Sequence, residues 1–533
     1  MLPLRDITIG QALAEAAQKY AHNVAVEYGD TTWTYEELDR FSDALARGFL
    51  AKGIRRGTHV GMWVTVDAHT IPVFYALQKL GAVTAMFYSK HRPAMLLEQL
   101  NHTECEFLVV GRPIAQSENG VEVCRILAQQ KHCQVLTFGY YKYQDTDCFS
   151  QILEDADNIS QEELEQVKAS VLPQDPATIL FTSGTSGRTK AVVGSHHSRI
   201  NSGIQLMSYT YATEKDVFCV ALPIFHCFCI STNMMAALAA GARLYLMTKS
   251  RTQNILDAIS IGKCTIFNAV PTMYHALCKR PDLADYDLSS LRTGIIGGGT
   301  YAPEQFREFE ETLGMTIQSS LGMTECTAGF TTCALEDPVE VRSTTVGRFM
   351  DHVEGKIVDP VTGETLPNGQ TGEICARSYM VMMGYYRAPD LTAEAIDADG
   401  WLHTGDLGWL DETGYIHLCG RLKELVIRGG ENISPLEVGN SLLALEKIRD
   451  IKVIGVPDEH YGEELCACIV PADPSLTAEE VREFAASRLA HYQVPRYVLF
   501  FDALPYNPTG KIVAAQLRQM VIDSGRIPGL KHE

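Results

Sequence analysis

The segment Phe181-Thr-Ser-Gly-Thr-Ser-Gly-Arg-Thr-Lys190 is a polar, glycine-rich loop directly after an apolar stretch, Ala177 to Phe181. Gly184 and Gly187 let backbone N–H groups approach an anion closely. The hydroxyls of Thr182, Ser183, Thr185 and Ser186 add donors and Lys190 adds charge, so the loop suits a polyphosphate. It is not a Walker A loop, which needs Gly before the Lys and Ser or Thr after it; here Thr189 and Ala191 occupy those places. Taken alone, the loop would serve equally as a solvated turn. Five more segments follow it in order: Ile296-Gly297-Gly298-Gly299-Thr300, Leu321-Gly322-Met323-Thr324-Glu325, Thr404-Gly405-Asp406, Gly420-Arg421-Leu422-Lys423-Glu424 and Pro508-Thr509-Gly510-Lys511.

In this order the segments resemble the successive signature motifs of the superfamily of AMP-forming adenylating enzymes: acyl-CoA and aryl-CoA synthetases, firefly-type luciferases and peptide-synthetase adenylation domains. The resemblance runs from about Thr34 to Lys511. It implies that ATP activates a carboxylic acid to an acyl-AMP, with release of pyrophosphate, and that the acyl group then passes to a thiol. The first step brings two anions together. Unit charges about 4 Å apart repel by roughly 4 kcal/mol at an effective dielectric of 20, so the site must be locally cationic.

The resemblance implies Mg2+ held partly by Glu325, with Thr324 beside it, and Lys511 orienting carboxylate and α-phosphate. For ATP and AMP it implies contacts from Thr182, Ser183, Gly184, Thr185, Ser186, Gly187 and Lys190, and from Gly298, Gly299, Thr300, Leu321 and Gly322. Asp406 suits the ribose hydroxyls and Arg421 ribose or phosphate. Leu321 stands where many relatives have an aromatic residue and would cover adenine by apolar contact. Thr189 replaces a common Pro and Ala191 a common Gly, which should change loop stiffness more than chemistry. For the second step the resemblance implies rotation of the C-terminal domain about Lys423. That motion withdraws Lys511 and brings in Arg428, Gly429 and Gly430 to line a tunnel for the acceptor's pantetheine arm.

His226 stands where amino-acid-activating relatives usually carry an Asp, and no acid lies nearby, so an α-amino acid is not the expected substrate. Phe228 and Met234, with Gly297, are expected to line an apolar acyl pocket, which favours a fatty or aromatic acid. The segments Val193 to His197 and Tyr497 to Lys511 look most like medium-chain fatty acyl-CoA synthetases; an aryl-CoA ligase is the alternative. Only 22 residues follow Lys511, so free CoA is the expected acceptor. A freestanding enzyme loading an acyl carrier protein stays open, as does a homodimer. A non-catalytic binding protein would be expected to lack Glu325, Lys511 or the lysine loop, and all are present.

The elements that must position these residues alternate in type. Thr34 with Glu37 forms a capping box, and Leu38, Phe41, Leu45 and Phe49 follow at helical spacing until Gly53. The pattern predicts a strand over 59–66 and a helix over 71–80, hence α/β layers with a mainly parallel sheet. Beyond residue 420 the texture changes: strands are expected over 451–456, 465–470 and 497–501, and a helix after the capping pair Thr477 and Glu480. The expected class is α/β, with a large N-terminal domain of layered α/β subdomains (1–420) and a small mobile C-terminal α+β domain (421–533), hinged near Lys423.

Composition bounds the rest. The chain has 533 residues, 46% of them apolar, and 45 basic against 65 acidic residues give a net charge of −20. That charge argues against a nucleic-acid or anionic-membrane partner. The N-terminus lacks the features of a secretory signal, so a cytoplasmic location is expected. The longest uncharged run, Val217 to Ala242, is interrupted by Pro223, His226, Ser231, Thr232 and Asn233 and reads as a pocket wall rather than a transmembrane span. Fifteen cysteines include no C-x-x-C pair; Cys227/Cys229 and Cys466/Cys468 read as core thiols.

Overall fold

The computed structural model describes residues 2–130, 133–137, 147–183, 189–247, 249, 251–299, 301–428, 431–458, 460–506 and 512–527. The first expected helix forms as Tyr35–Ala51: the Thr34 hydroxyl accepts from the Glu37 N–H, and the Glu37 carboxylate accepts from the Thr34 N–H. The next strand, His59–Trp63, is shorter than its sequence pattern. The Asp67 carboxylate accepts from the N–H groups of His69 and Thr70, which turns the chain early into the helix Thr70–Lys79.

An eight-stranded sheet organises the first half of the chain. Its order is Gly384–Tyr385, Thr189–Ser195, Pro176–Ser183, Val83–Met86, His59–Trp63, Phe107–Val110, Gln134–Thr137 and Asp147–Cys148. The run from Pro176–Ser183 to Asp147–Cys148 is parallel, and the two strands at the other edge pair antiparallel. Both faces are buried. Phe107 and Val109 join one apolar cluster while Leu108 and Val110 join another, so the strands read as continuous apolar runs. A second sheet orders Val217–Val220, Arg243–Leu246, Val24–Tyr28 and Thr31–Thr34. Bridges at Ile266 and Ala269 connect it to the parallel pair Thr293–Ile296 and Thr316–Ser319.

An antiparallel sheet of Val353–Val358, Gly372–Ser378, Leu402–Leu410 and Ile416–Arg421 follows. After the turn Leu422–Glu424 the chain builds a further five-stranded sheet, with Gly462–Pro471 between Ile448–Asp458 and Tyr497–Phe500. Its apolar clusters contain no residue before Val426. The two expected strands at 451–456 and 465–470 are longer than their patterns, because each pairs with the other over nearly its full length.

The uncharged run resolves into the strand Val217–Val220, a short helix Cys227–Cys229, a π turn Ile230–Met235 and the helix Ala236–Ala240, which ends on Gly241 at φ +72°. Among the described residues no helix is long and apolar enough to cross a membrane.

The helix His196–Tyr209 is clasped by the N-terminal segment: Asn201 accepts from the Arg5 N–H at 2.7 Å and donates to the Arg5 carbonyl at 2.8 Å. His196 is fully buried, and its Nδ1 accepts from the Ile9 N–H at 3.4 Å. Burial pulls its pKa from 6.5 down to about 4, against the charge of Asp175. Between those values the unfolded chain holds the extra proton and the folded chain does not, so stability falls as pH drops through the window. The loss should approach about 3 kcal/mol. Denaturation midpoints measured from pH 7 to pH 4 should show this decline, and His196→Gln should flatten it.

Candidate active site

The strands on either side of the lysine loop pair antiparallel. Phe181 pairs with Ala191, Thr182 with Lys190 and Ser183 with Thr189, which sets Lys190 directly across from Thr182. Gly184, Thr185, Ser186 and Gly187 lie outside the described residues. Ile179, Leu180, Ala191 and Val192 bury the paired strands in the core.

Lys190 Nζ lies 4.5 Å from the centre of the Tyr385 ring, a cation–π contact. Tyr385 stands on the edge strand that pairs with Val192, and its hydroxyl donates to Glu325 Oε1 at 2.9 Å. Burial, and then the charge of Glu325, push the Tyr385 hydroxyl far above its ordinary range, so it remains a donor. The pattern of spaced motifs did not nominate Tyr385. Its role depends on strand pairing, for which the local sequence Gly384-Tyr385 carries no distinctive signal.

Glu325 is buried on the turn Thr324–Cys326, and its carbonyl accepts from the Met382 N–H at 2.8 Å. Across the site, Asp406 and Arg421 face each other in adjacent antiparallel strands, with Arg421 Nε 2.8 Å from Asp406 Oδ1. Asp406 is the main cause that raises the Arg421 pKa, and the charges of Glu424 and Glu325 add to it. Lys190, Glu325 and the Arg421–Asp406 pair thus share one electrostatic neighbourhood. A scaffold unseen in the motifs orients Asp406: Glu373 accepts from the Gly405 N–H at 2.9 Å with one oxygen and pairs with His403 Nδ1 at 2.8 Å with the other. Gly405 itself sits at φ +71°, a left-handed conformation that favours glycine.

Between these groups and the π turn is a cavity of about 50 Å³. His226, Cys227, Phe228 and Thr232 form one wall; Gly297, Gly298, Gly322 and Thr324 belong to the opposite side. The Phe228 ring closes it toward Gly297: a methyl built on that glycine would lie 4.0 Å from the ring. Asn268 braces the π turn by donating to the Thr232 carbonyl at 3.0 Å and to Asn233 Oδ1 at 2.7 Å.

One nominated residue stands elsewhere than expected. Met234 is buried in the core and does not line the cavity, because the wider π turn presents Thr232 there instead. Leu321 packs against the core beneath the antiparallel sheet. Cys227 is a core thiol, as expected, that also borders the cavity. It lines the cavity with its Sγ 3.5 Å from Thr324 Oγ1 and 3.8 Å from His226 Nδ1. Burial alone would raise its pKa, but His226, Thr324 and Arg199 outweigh it and bring it down to about 7. Cys466 and Cys468 are core residues, as expected.

Gly299 is exposed beside Pro271. Lys423 is exposed on the turn that leads into the last sheet. Arg428 lies away from the nucleotide groups, paired with the buried Glu464 at 2.8 Å and stacked on Tyr461. Thr300, Gly429, Gly430 and Lys511 lie outside the described residues.

Two family models match the chain. The family model described as "AMP-binding enzyme" matches residues 13–386, and "AMP-binding enzyme C-terminal domain" matches residues 437–511. The putative acyl-CoA synthetase YngI of Bacillus subtilis is 33% identical over 547 residues, covering 98% of each chain. The mitochondrial medium-chain acyl-CoA ligase ACSF2 of Danio rerio is 31% identical, covering 97% of this chain and 89% of its own. Among solved structures, ATP-bound MatB from Rhodopseudomonas palustris superposes with a TM-score of 0.83 at 26% identity over 97% of this chain and 100% of that one. The anthranilate CoA ligase AuaEII in complex with anthranoyl-AMP shares the fold, with a TM-score of 0.88 at 22% identity and 99% coverage of both chains.

Proposed function

The chain belongs to the AMP-binding enzyme family, and on that premise we propose that it is an AMP-forming acyl-CoA ligase, joining a carboxylic acid to CoA through an acyl-AMP. The observation that carries the reading is the line of contacts from Lys190 through Tyr385 to Glu325, whose charge also reaches the Arg421–Asp406 pair, with the neighbouring Thr324 lining a cavity. Lys190 and Arg421 offset the repulsion between two approaching anions. Asp406 presents a carboxylate that accepts from both ribose hydroxyls.

A single hard carboxylate amid cationic groups matches the way magnesium is held, through one or two carboxylates plus substrate phosphates. Glu325 would hold that ion, which when bound neutralises phosphate oxygens and charge developing on pyrophosphate. Tyr385 fixes the carboxylate that does so. Thr324 and His226 border the cavity where the acid's carboxylate must lie, and Lys511 is assigned the contact with the reacting carboxylate and α-phosphate. Rotation about Lys423 then exchanges Lys511 for the segment that begins at Arg428. Residues 1–420 and 421–533 are the two bodies that this motion requires.

For the acid we propose a medium-chain fatty acid, supported by the ACSF2 relative and by the apolar cavity wall. The second reading is an aromatic acid, which the Phe228 ring beside Gly297 would flank. Phe228 decides between them. If its ring swings aside for a chain, Phe228→Ala should raise the ratio of kcat/KM for dodecanoate over butyrate about tenfold or more. An unchanged ratio would favour the aromatic reading.

The activity itself is tested by pyrophosphate release with a panel of acids, ATP and Mg2+, first with CoA and then with an acyl carrier protein. Thioester formation with CoA is expected. Turnover with the carrier protein alone would replace the acceptor, and no pyrophosphate with any acid would overturn the reading. A cytoplasmic location belongs to the same proposal.

A further inference from the structure

Arg199 is a buried cation that the chemistry above does not use. It lies in the helix His196–Tyr209 with no exposed surface, and among the described residues no carboxylate pairs with it. Its Nε donates to Thr178 Oγ1 at 2.9 Å, its Nη1 donates to the Thr327 carbonyl at 3.0 Å, and its Nη2 has no hydrogen-bond partner among the described residues. Burying a guanidinium with no carboxylate, against neutral oxygens and the thiol of Cys227, is costly. A neutral side chain of similar length would fill the space without that cost, so the charge calls for a function at the atoms it touches.

The acceptor of Nη1 is not an ordinary carbonyl. Thr327 has φ +61° and ψ −48°, in the left-handed half of conformational space, where a β-branched residue is strained. The Ala328 N–H donates to the Cys326 carbonyl across it, closing a γ turn of the rarer hand. Thr327 follows Thr324, Glu325 and Cys326 directly, and its N–H donates back to the Thr324 carbonyl at 3.1 Å. Its other polar groups are also held: Ser231 Oγ donates to the same carbonyl at 3.5 Å, and Thr327 Oγ1 donates to the Met380 carbonyl at 2.7 Å.

We propose that Arg199 is a positioning residue whose guanidinium, anchored on Thr178, holds the Thr327 carbonyl and so fixes the strained turn that sets where Thr324 and Glu325 stand. A charge-assisted hydrogen bond is about twice as strong as a neutral one. At this carbonyl it opposes relaxation of Thr327 to an ordinary conformation, which would rotate the preceding turn and carry the Glu325 carboxylate away from Tyr385. The inference rests on the reading of Glu325 as the carboxylate that holds magnesium with ATP.

The test uses the full-length protein with Arg199→Met, which keeps the volume and removes the charge, and Thr178→Val, which removes the anchor of Nε. Binding of Mn2+·ATP, followed by calorimetry and by the Mn2+ electron spin resonance signal, needs no turnover; AMP without metal is the control. Arg199→Met should weaken Mn2+·ATP binding about tenfold and raise the Mg2+ midpoint of pyrophosphate exchange by a similar factor. Thr178→Val should give a smaller shift in the same direction, and AMP affinity should stay within about twofold of the parent. Unchanged Mn2+·ATP binding in folded Arg199→Met overturns the proposal, and so does equal weakening of AMP and Mn2+·ATP, the mark of a merely structural role. If Arg199→Met does not fold, Thr178→Val decides by the same criteria. A parent protein that binds Mn2+·ATP but activates no acid overturns the proposed function while leaving the Arg199 comparison valid; one that does not bind Mn2+·ATP overturns both.

Discussion

Glu325→Gln is expected to abolish acid-dependent ATP–pyrophosphate exchange to within about 10²–10³-fold of the parent rate while leaving the protein folded. The substitution keeps the shape of the side chain. The Tyr385 hydroxyl can still donate to an amide oxygen where it now donates to Oε1 at 2.9 Å, and the Glu325 carbonyl keeps its bond from the Met382 N–H. What changes is one negative charge in a buried place, beside Arg421 and at the end of the contact line from Lys190. An amide oxygen is a poorer ligand for a hard cation, so the Mg2+ concentration needed for half-maximal exchange should rise along with the loss of rate. Exchange measured across a Mg2+ titration, with circular dichroism as the folding control, checks both. Exchange at the parental rate with an unchanged Mg2+ midpoint would remove Glu325 from the site.

Lys511→Ala should separate the two half-reactions. Formation of acyl-AMP should fall by about 10²-fold or more, because a positioned cation is lost where charge develops. Transfer from presupplied acyl-AMP to CoA should change by less than about threefold, because rotation about Lys423 has by then withdrawn the lysine. The prediction rests on the position of Lys511 in Pro508-Thr509-Gly510-Lys511, where the match to the C-terminal family model ends. Single-turnover assays started from acid plus ATP, and separately from synthetic acyl-AMP plus CoA, read the two steps apart. Equal loss in both would show that one fixed arrangement of the chain serves both reactions.

Much of this was legible in the chain because it depends on short, local constraints. A glycine-rich loop between paired strands, a left-handed glycine before Asp406 and a threonine cap with its glutamate are each specified within a few residues. The order of the six segments, Thr182 to Lys511, identified the family without reference to any pair of distant atoms. The strands and helices that carry them were legible for the same reason. Period-two and helical spacing mark their middles, while their ends are set by partners such as Asp67, which cuts one strand short, and Gly462–Pro471, which lengthens another by pairing.

What the motifs could not reveal are contacts between residues far apart in sequence. Tyr385 joins Lys190 to Glu325 only because an edge strand adds to the sheet at Val192. Glu373 steadies Asp406 only because their strands lie side by side. Met234 was expected at the cavity and lies in the core, because a π turn rotates the wall by a fraction of a turn that helical spacing does not encode, while the core thiol Cys227 also borders the cavity. Sequence by itself therefore determined which chemistry the chain carries, since that chemistry resides in residue types at local spacing. Tertiary structure alone decided which carboxylate is braced, which thiol borders the cavity and which oxygens Arg199 holds, since burial and hydrogen bonding between distant segments exist only once the chain has packed.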